Sequence, residues 1–103
     1  MYKVHDIFNK CIEITVERWN HICEQHPELN TLWETVRITL ENPDFIKMSL
    51  ADRSVRMYYH YFDNLLGGKY ILAVVKTNQR NFLLTAYVTD YIKAGEDLWK
   101  RKN

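Results

Sequence analysis

The spacing of hydrophobic residues changes along the chain, from about 3.6 to 2 residues, after Pro43. Before that point, apolar residues recur mostly as in amphipathic helices, and after it they alternate with polar residues as in strands. The N-terminus differs, because two short apolar runs flank Asn9-Lys10 in the manner of a β-hairpin. The pattern predicts a hairpin, then helices, then strands.

Two helices are predicted in the helical segment. The first follows Thr15, a good N-cap residue, and ends at or just before His26, because the next residue is a proline. The second is predicted to begin at Thr31, which forms a capping box with Glu34, and to end at the Asn-Pro pair that precedes the strands.

Four strands are predicted in the second half of the chain. They cover residues 44–50, 54–62, 69–77 and 81–92, and short turn-prone stretches separate them. Strands that follow one another through short loops pair mostly in the antiparallel sense. Residues 94–103 are predicted to form a short helical or frayed tail.

The expected fold class is therefore α+β, with an N-terminal hairpin and two helices packed on a four-stranded antiparallel sheet. The length of 103 residues indicates a single domain over residues 1–103. The residues expected between the helices and the sheet are Trp19, Ile22, Val36, Leu40, Leu72, Val74, Leu84 and Ala86.

Composition places the chain among soluble globular proteins, with 47% hydrophobic and 26% charged residues. The sequence contains no apolar run of the roughly 20 residues that a membrane span needs, and its first ten residues are too polar for a signal peptide. We therefore expect a cytoplasmic protein without a membrane partner. Cys11 and Cys23 lie in apolar patterns and are expected to be free, buried thiols.

The charge is unevenly distributed although the net charge is only +1. Residues 1–44 carry a net charge of −4 and residues 45–93 a net charge of +4. A phosphate-bearing ligand would prefer the second half. Equally, the acidic residues are of the kind that suits exposed faces of amphipathic helices.

His21 and His26 are the first candidates for chemistry. His21 lies away from the apolar stripe of its helix, so packing does not require it. His26 lies at the predicted helix end, where capping of the last carbonyl groups is an alternative role. Cys23 and His26 have a spacing that zinc ligands use, but the sequence has no second Cys/His pair at such spacing, and neither a metal nor a cofactor is expected.

The predicted strands supply further candidates. Alternation puts Thr85 and Tyr87 on one face of the last strand, and it puts Arg56, Tyr58 and His60 together on one face of an earlier strand. We expect these two sets to share the open face of the sheet. Lys76 ends the strand between them. Polar and aromatic residues are also common on solvent-facing strands, which is the alternative explanation.

Such residues suit the cleavage of RNA without a metal, in which the 2′-hydroxyl group attacks the adjacent phosphate. Histidines serve as acid and base near neutral pH. Arginine, lysine, threonine and tyrosine donate hydrogen bonds to the developing phosphorane charge.

The ordered motifs "IEITVERWNHICEQHPEL", "ENPDFIKMS", "SVRMYYHYF" and "FLLTAYVTDYI" resemble those of phage-associated nucleases of the barnase–EndoU–colicin–RelE fold group. The similarity spans residues 4–93 and includes a W-x-H-I-x-x-x-H-P-E motif and a closing T-A-Y strand. It implies helices followed by a four-stranded antiparallel sheet, and a metal-independent endoribonuclease that is a toxin or a phage-borne effector. It also implies an RNA substrate and a cognate protein inhibitor.

Carried onto this chain, the resemblance assigns catalysis to residues of these motifs and leaves open which histidine is the base. The expected catalytic residues are His21, His26, Arg56, Thr85 and Tyr87. The expected substrate-binding residues are Lys76, Tyr58 and His60. Two alternatives are a non-catalytic module that binds RNA or protein on the same scaffold, and an antitoxin-like or structural protein. The oligomeric state is left open.

Overall fold

Seven strands form one mixed sheet in the computed structural model of the protein, which describes residues 1–102. The strands are β1 (Tyr2–His5), β2 (Cys11–Ile14), β3 (Phe45–Ser49), β4 (Val55–Phe62), β5 (Lys69–Thr77), β6 (Asn81–Thr89) and β7 (Gly95–Lys100). Their order across the sheet is β1-β2-β6-β5-β4-β3-β7, and within the described residues only β2 and β6 pair in parallel. The fold is α+β, but the predicted four-stranded antiparallel sheet is wrong, since the hairpin and the C-terminal segment extend it at both edges.

The N-terminal hairpin joins the sheet through two residue pairs, Ile12 with Asn81 and Glu13 with Phe82. Ile12 and Ile14 are fully buried, so the apolar side of the hairpin continues the apolar side of the sheet. The hairpin is thus an integral part of the sheet and does not pack on it as a separate layer.

Strand β7 replaces the predicted helical or frayed tail, of which residue 103 lies outside the described residues. It pairs antiparallel with β3, from Gly95 opposite Ser49 to Lys100 opposite Phe45, around one irregularity. Without it, β3 would be an edge strand with unpaired backbone groups. The backbone groups of β3 that would otherwise be unpaired therefore explain why a polar segment forms a strand.

The helices are α1 (Val16–Gln25) and α2 (Trp33–Glu41), with a 3₁₀ helix over Pro27–Thr31 between them. The start and end predicted for the first helix are confirmed, because the Thr15 hydroxyl accepts a hydrogen bond from the Arg18 N–H at 3.0 Å and His26 is the C-cap. The capping box predicted at Thr31 is wrong, since that residue belongs to the 3₁₀ helix and Glu34 pairs with Arg37 instead. Within residues 1–102, neither helix has the length and apolar character to cross a membrane.

Apolar residues fill both faces of the sheet. The main core, under the helices, includes the buried residues Ile12, Ile14, Ile22, Leu29, Val36, Leu40, Ile46, Tyr58, Ile71, Ala73, Val75, Leu83 and Ala86. A second, smaller core on the opposite face consists of Met57, Tyr59 and Leu72, with Phe45, Tyr70, Val74 and Tyr87 packed around it.

The second core is buried because the chain between β6 and β7 crosses that face of the sheet. The Lys93 N–H donates a hydrogen bond to the Tyr59 hydroxyl at 3.0 Å. A Cβ atom on Gly95 would lie 2.9 Å from the Met57 side chain, so the crossing segment rests directly on the sheet. Tyr59 is consequently fully buried although it faces away from the helices.

The predicted list of core residues needs correction at four positions. Leu72 and Val74 belong to the second core. Leu84 lies at an irregularity of β6, since Val74 pairs with Thr85 and the next residue of β5 pairs with Leu83. The regular pairing therefore skips Leu84, which is only half-buried. Trp19 is half-buried at the margin of the main core.

Candidate active site

The candidate site lies where α1 runs beside an unpaired stretch of β6. Strand β2 pairs with β6 only at Asn81 and Phe82, so within the described chain no strand follows on that side of residues 83–89. Helix α1 contacts β6 there, and an Arg18 guanidinium nitrogen donates to the Leu84 carbonyl oxygen at 3.4 Å. The helix thus brings its side chains to the edge of the strand.

His26 contacts this edge at the C-terminal end of α1. Its backbone N–H donates to the Ile22 carbonyl oxygen at 2.8 Å, and the following Pro27 starts the 3₁₀ helix. The imidazole is half-buried and stacks on the Tyr87 ring with a centroid distance of 5.2 Å and an interplanar angle of 27°. The backbone of His26 caps α1, whereas its imidazole contacts Tyr87 of the T-A-Y motif.

Lys93 approaches the same tyrosine from the segment that crosses the sheet. Its Nζ atom lies 5.7 Å from the centroid of the Tyr87 ring. Interaction of the ammonium group with the Tyr87 side chain raises the pKa of Lys93 above its usual value, which is already that of a cation at neutral pH. His26, Tyr87 and Lys93 together are called the catalytic cluster below, after the role that is proposed for them.

The catalytic cluster borders two further hydroxyl groups. Thr85 precedes Tyr87 by two residues on β6, so the two side chains share a face, as predicted. The buried hydroxyl of Tyr59 accepts the backbone N–H of Lys93. Burial raises the pKa of Tyr59, because a buried phenolate would be poorly solvated.

Sequence reasoning missed Lys93, although alternation contained a signal for it. Tyr87, Thr89, Tyr91 and Lys93 are spaced two residues apart and would share a face if the strand continued. The strand ends at Thr89, yet the crossing of the sheet returns Lys93 to the side of Tyr87.

The prediction that Arg56, Tyr58 and His60 share a face with Tyr87 is wrong. Across the sheet, Tyr58 pairs with Ala73 and belongs to the main core under the helices. Tyr87 packs against the second core on the opposite face. Alternation grouped the residues of β4 correctly but assigned the group to the wrong side.

Each member of that group has a structural partner. The Tyr58 hydroxyl donates to Asp6 Oδ2 at 2.6 Å, and burial, followed by that bond, raises the pKa of Tyr58. Arg56 places its guanidinium carbon 5.8 Å from the centroid of the Phe8 ring. His60 Nδ1 lies 2.6 Å from a carbonyl oxygen in the turn between α2 and β3. The catalytic role of Arg56 and the substrate-binding roles of Tyr58 and His60 stay predictions.

Lys76 and His21 lie outside the catalytic cluster. Lys76 Nζ forms an ion pair of 2.7 Å with Asp52, whose pKa the lysine lowers strongly. His21 is exposed on α1, and the ring contacts within residues 1–102 join Tyr87 to His26 and not to His21. Of the five residues predicted to be catalytic, the structure therefore brings together His26, Thr85 and Tyr87.

Within residues 1–102, no group of three or more histidine, cysteine, aspartate or glutamate side chains is placed to hold a metal ion. Comparisons of the chain with protein-family models, curated proteins and solved structures find no match. Function is therefore inferred from the side chains themselves. The catalytic cluster places an imidazole and an ammonium group against the same phenol ring. Such groups can transfer protons and balance negative charge.

Proposed function

We propose that the protein is a metal-independent endoribonuclease whose active site is the catalytic cluster of His26, Tyr87 and Lys93. The observation that supports it best is the stacking of His26 on Tyr87, with Lys93 beside the same ring. This contact joins the H-P-E motif at the end of α1 to the T-A-Y motif of β6, which lie about sixty residues apart. These are two of the motifs in which the chain resembles nucleases of the barnase–EndoU–colicin–RelE fold group.

The reaction is an internal transfer at phosphorus. The 2′-oxygen of one nucleotide bonds to its own 3′-phosphorus, and the bond from phosphorus to the 5′-oxygen of the next nucleotide breaks. The products are a 2′,3′-cyclic phosphate and a free 5′-hydroxyl group. One proton leaves the 2′-hydroxyl and one is delivered to the departing 5′-oxygen, so no metal ion or water molecule is consumed.

In this proposal each residue has a defined part. His26 exchanges a proton with the attacking or the departing oxygen, as imidazoles do near neutral pH. The ammonium group of Lys93, which is charged at neutral pH, balances the extra negative charge of the phosphorane. The hydroxyl groups of Tyr87 and Thr85 donate to the phosphate oxygens.

The proposal includes the biological setting that the resemblance implies. The protein acts on RNA in the cytoplasm as a toxin or phage-borne effector, and a cognate protein inhibitor holds it inactive. The inhibitor would have to cover the edge of β6 beside α1, because that is where the catalytic cluster meets solvent.

The test compares His26→Ala with His21→Ala in cleavage of tRNA or total RNA in the presence of EDTA. His26→Ala should lower the rate by about 10²–10⁴-fold. His21→Ala is the matched control, since it removes an exposed histidine from the same helix and should leave the rate within about threefold. Both variants should retain most of the thermal stability, because neither side chain fills the main core.

A second pair of variants examines the cation. Lys93→Met should lower the rate by about 10²-fold or more, and Lys93→Arg should recover part of it because the positive charge is kept. Lys100→Met, an exposed lysine of β7, is the control. Protein that cuts RNA equally well without His26, or only when a divalent metal is added, would refute the proposal. Purified protein that binds RNA but never cuts it would favour the non-catalytic module.

A further inference from the structure

A cleft of about 440 Å³ opens beside the start of β6, at the opposite end of α1 from His26. It lies where β2 leads into α1 and where the β5–β6 turn comes close to both. Among the residues that line it are Glu13, Arg18, Arg80 and Phe82. None of these residues takes part in the chemistry proposed above.

Phe82 offers an aromatic surface in this cleft. It is 37% exposed, which is unusual for a phenylalanine in a strand with two neighbours. Phe82 pairs with Lys76, which in turn pairs with Val55 of β4, so these three side chains share one face of the sheet. Val55 is two residues before Met57, so this is the face of the second core, which also carries Thr85 and Tyr87. A base could therefore stack on Phe82 while its strand continues towards the catalytic cluster.

Two arginines flank the phenylalanine. Arg80 is 76% exposed, and its Nε atom lies 3.3 Å from Glu13 Oε2. This ion pair holds the guanidinium at the cleft while its two terminal nitrogens can donate to a phosphate. Arg18 reaches the carbonyl oxygen of Leu84 with one terminal nitrogen and lines the cleft from the helix.

The cleft and the catalytic cluster lie towards opposite ends of α1 and of β6. Arg18 and His26 stand on the same helix, separated by a rise of about 12 Å. Phe82 and Tyr87 stand on the same strand, separated by about 13–17 Å. A few nucleotides of single-stranded RNA would cover that distance, with the edge of β6 beneath them.

We propose that this cleft binds the single-stranded RNA that flanks the cleaved phosphodiester, with one base stacked on Phe82 and the neighbouring phosphates contacted by Arg80 and Arg18. That the bound RNA is also cleaved rests on the proposed ribonuclease function. The binding itself can be measured without cleavage. Because a base must leave its stack to lie on Phe82, the cleft selects single strands over duplexes.

The experiment measures binding of wild-type protein to a fluorescent 2′-O-methyl oligonucleotide of about eight nucleotides, by anisotropy. The methyl group blocks the 2′-oxygen, so the oligonucleotide cannot be cut by the proposed reaction. Phe82→Ala should weaken binding by about 10-fold, and Phe82→Tyr, which keeps a ring for stacking, should restore it. A duplex of the same sequence should bind more weakly than the single strand.

Arg80→Ala should also weaken binding, and it has a second signature. It should reduce the slope of log K against log salt by about 0.7, the value for one lost contact with a single-strand phosphate, whereas Phe82→Ala should leave the slope unchanged. Arg53→Ala is a matched control, since Arg53 is 78% exposed and forms a comparable ion pair of 3.5 Å with Glu96, away from the cleft. Arg18 is not used as a probe because it also holds the backbone of β6.

Equal binding by wild type, Phe82→Ala and Arg80→Ala would overturn the proposal, as would equal affinity for the duplex. An effect of Arg53→Ala as large as that of Arg80→Ala would overturn it too, because binding would then follow total charge. Binding that depends on Phe82 and Arg80 in a protein that cuts no RNA would support the cleft and refute the proposed catalysis.

Discussion

The variant Tyr58→Phe tests whether Tyr58 stabilises the fold or, as the sequence pattern predicts, binds substrate. Tyr58 is only 1% exposed, and its hydroxyl donates to Asp6 Oδ2 at 2.6 Å. The other carboxylate oxygen of Asp6 accepts the backbone N–H groups of Phe8 and Lys10, both at 2.9 Å. The tyrosine therefore ties the turn of the β1–β2 hairpin to the centre of the sheet.

The expected loss of stability follows from these contacts. Phenylalanine keeps the ring, so no cavity forms, and the loss is that of one buried hydrogen bond to a carboxylate, about 1.5–3 kcal/mol. In a domain of this size the melting temperature should fall by about 7–14 °C. Urea unfolding and calorimetry measure both quantities, and Tyr61→Phe, at a residue that is 43% exposed, should stay within about 0.5 kcal/mol of wild type.

The same variant has a signature at high pH. The pKa of Tyr58 is higher in the folded than in the unfolded protein, so the contribution of its neutral form is complete below about pH 10. Above that pH the unfolded chain loses the proton first, and this contribution falls by about 1.4 kcal/mol per pH unit. The difference between wild type and Tyr58→Phe should therefore shrink above pH 10. Unchanged stability combined with lost RNA cleavage would refute this reasoning and restore Tyr58 to the site.

Two further predictions examine the second core and the cysteines. Gly95→Ala should cost about 1–3 kcal/mol in urea unfolding, because a Cβ atom would lie 2.9 Å from the Met57 side chain of the second core and 2.7 Å from the Met48 carbonyl oxygen. Gly67→Ala, where the surroundings are open and only a φ of +78° is unfavourable, should cost about 1 kcal/mol, and equal losses would contradict the crossing contact. Burial raises the pKa of the Cys23 thiol, so iodoacetamide should modify it more slowly than the half-buried Cys11 in folded protein at pH 8. Peptide mapping by mass spectrometry should show equal rates only after unfolding, and equal rates in the folded protein would contradict the burial of Cys23.

The central elements could be predicted because the information for them is local. The N-cap at Thr15 and the proline after His26 delimit α1, and alternation delimits β4, β5 and β6 to within a few residues. The C-terminal strand β7 could not be predicted in this way. The segment from Gly95 to Lys100 is polar, and it forms a strand only because β3 offers it an unpaired edge.

The two faces of the sheet could not be told apart for a related reason. Alternation separates Met57 and Tyr59 from Tyr58 on β4, but all three are buried because both faces are covered. Nothing in the local pattern shows which set meets the helices. On β6, the irregularity at Leu84 reverses the alternation before Thr85, so Leu84 was wrongly predicted to lie in the core while Ala86 was predicted correctly.

The position of the catalytic cluster follows from the shortness of β2. Because that strand has four residues and pairs with only the first two of β6, the rest of the β6 edge is left to α1. A helix cannot complete the backbone ladder of a strand, so the edge is bordered by side chains, with Arg18 near one end and His26 near the other. A longer β2 would have placed a strand where the proposed RNA strand is expected to lie. The short pairing of β2 therefore leaves the β6 edge open between the Phe82 cleft, which lies where β2 still pairs, and the catalytic cluster.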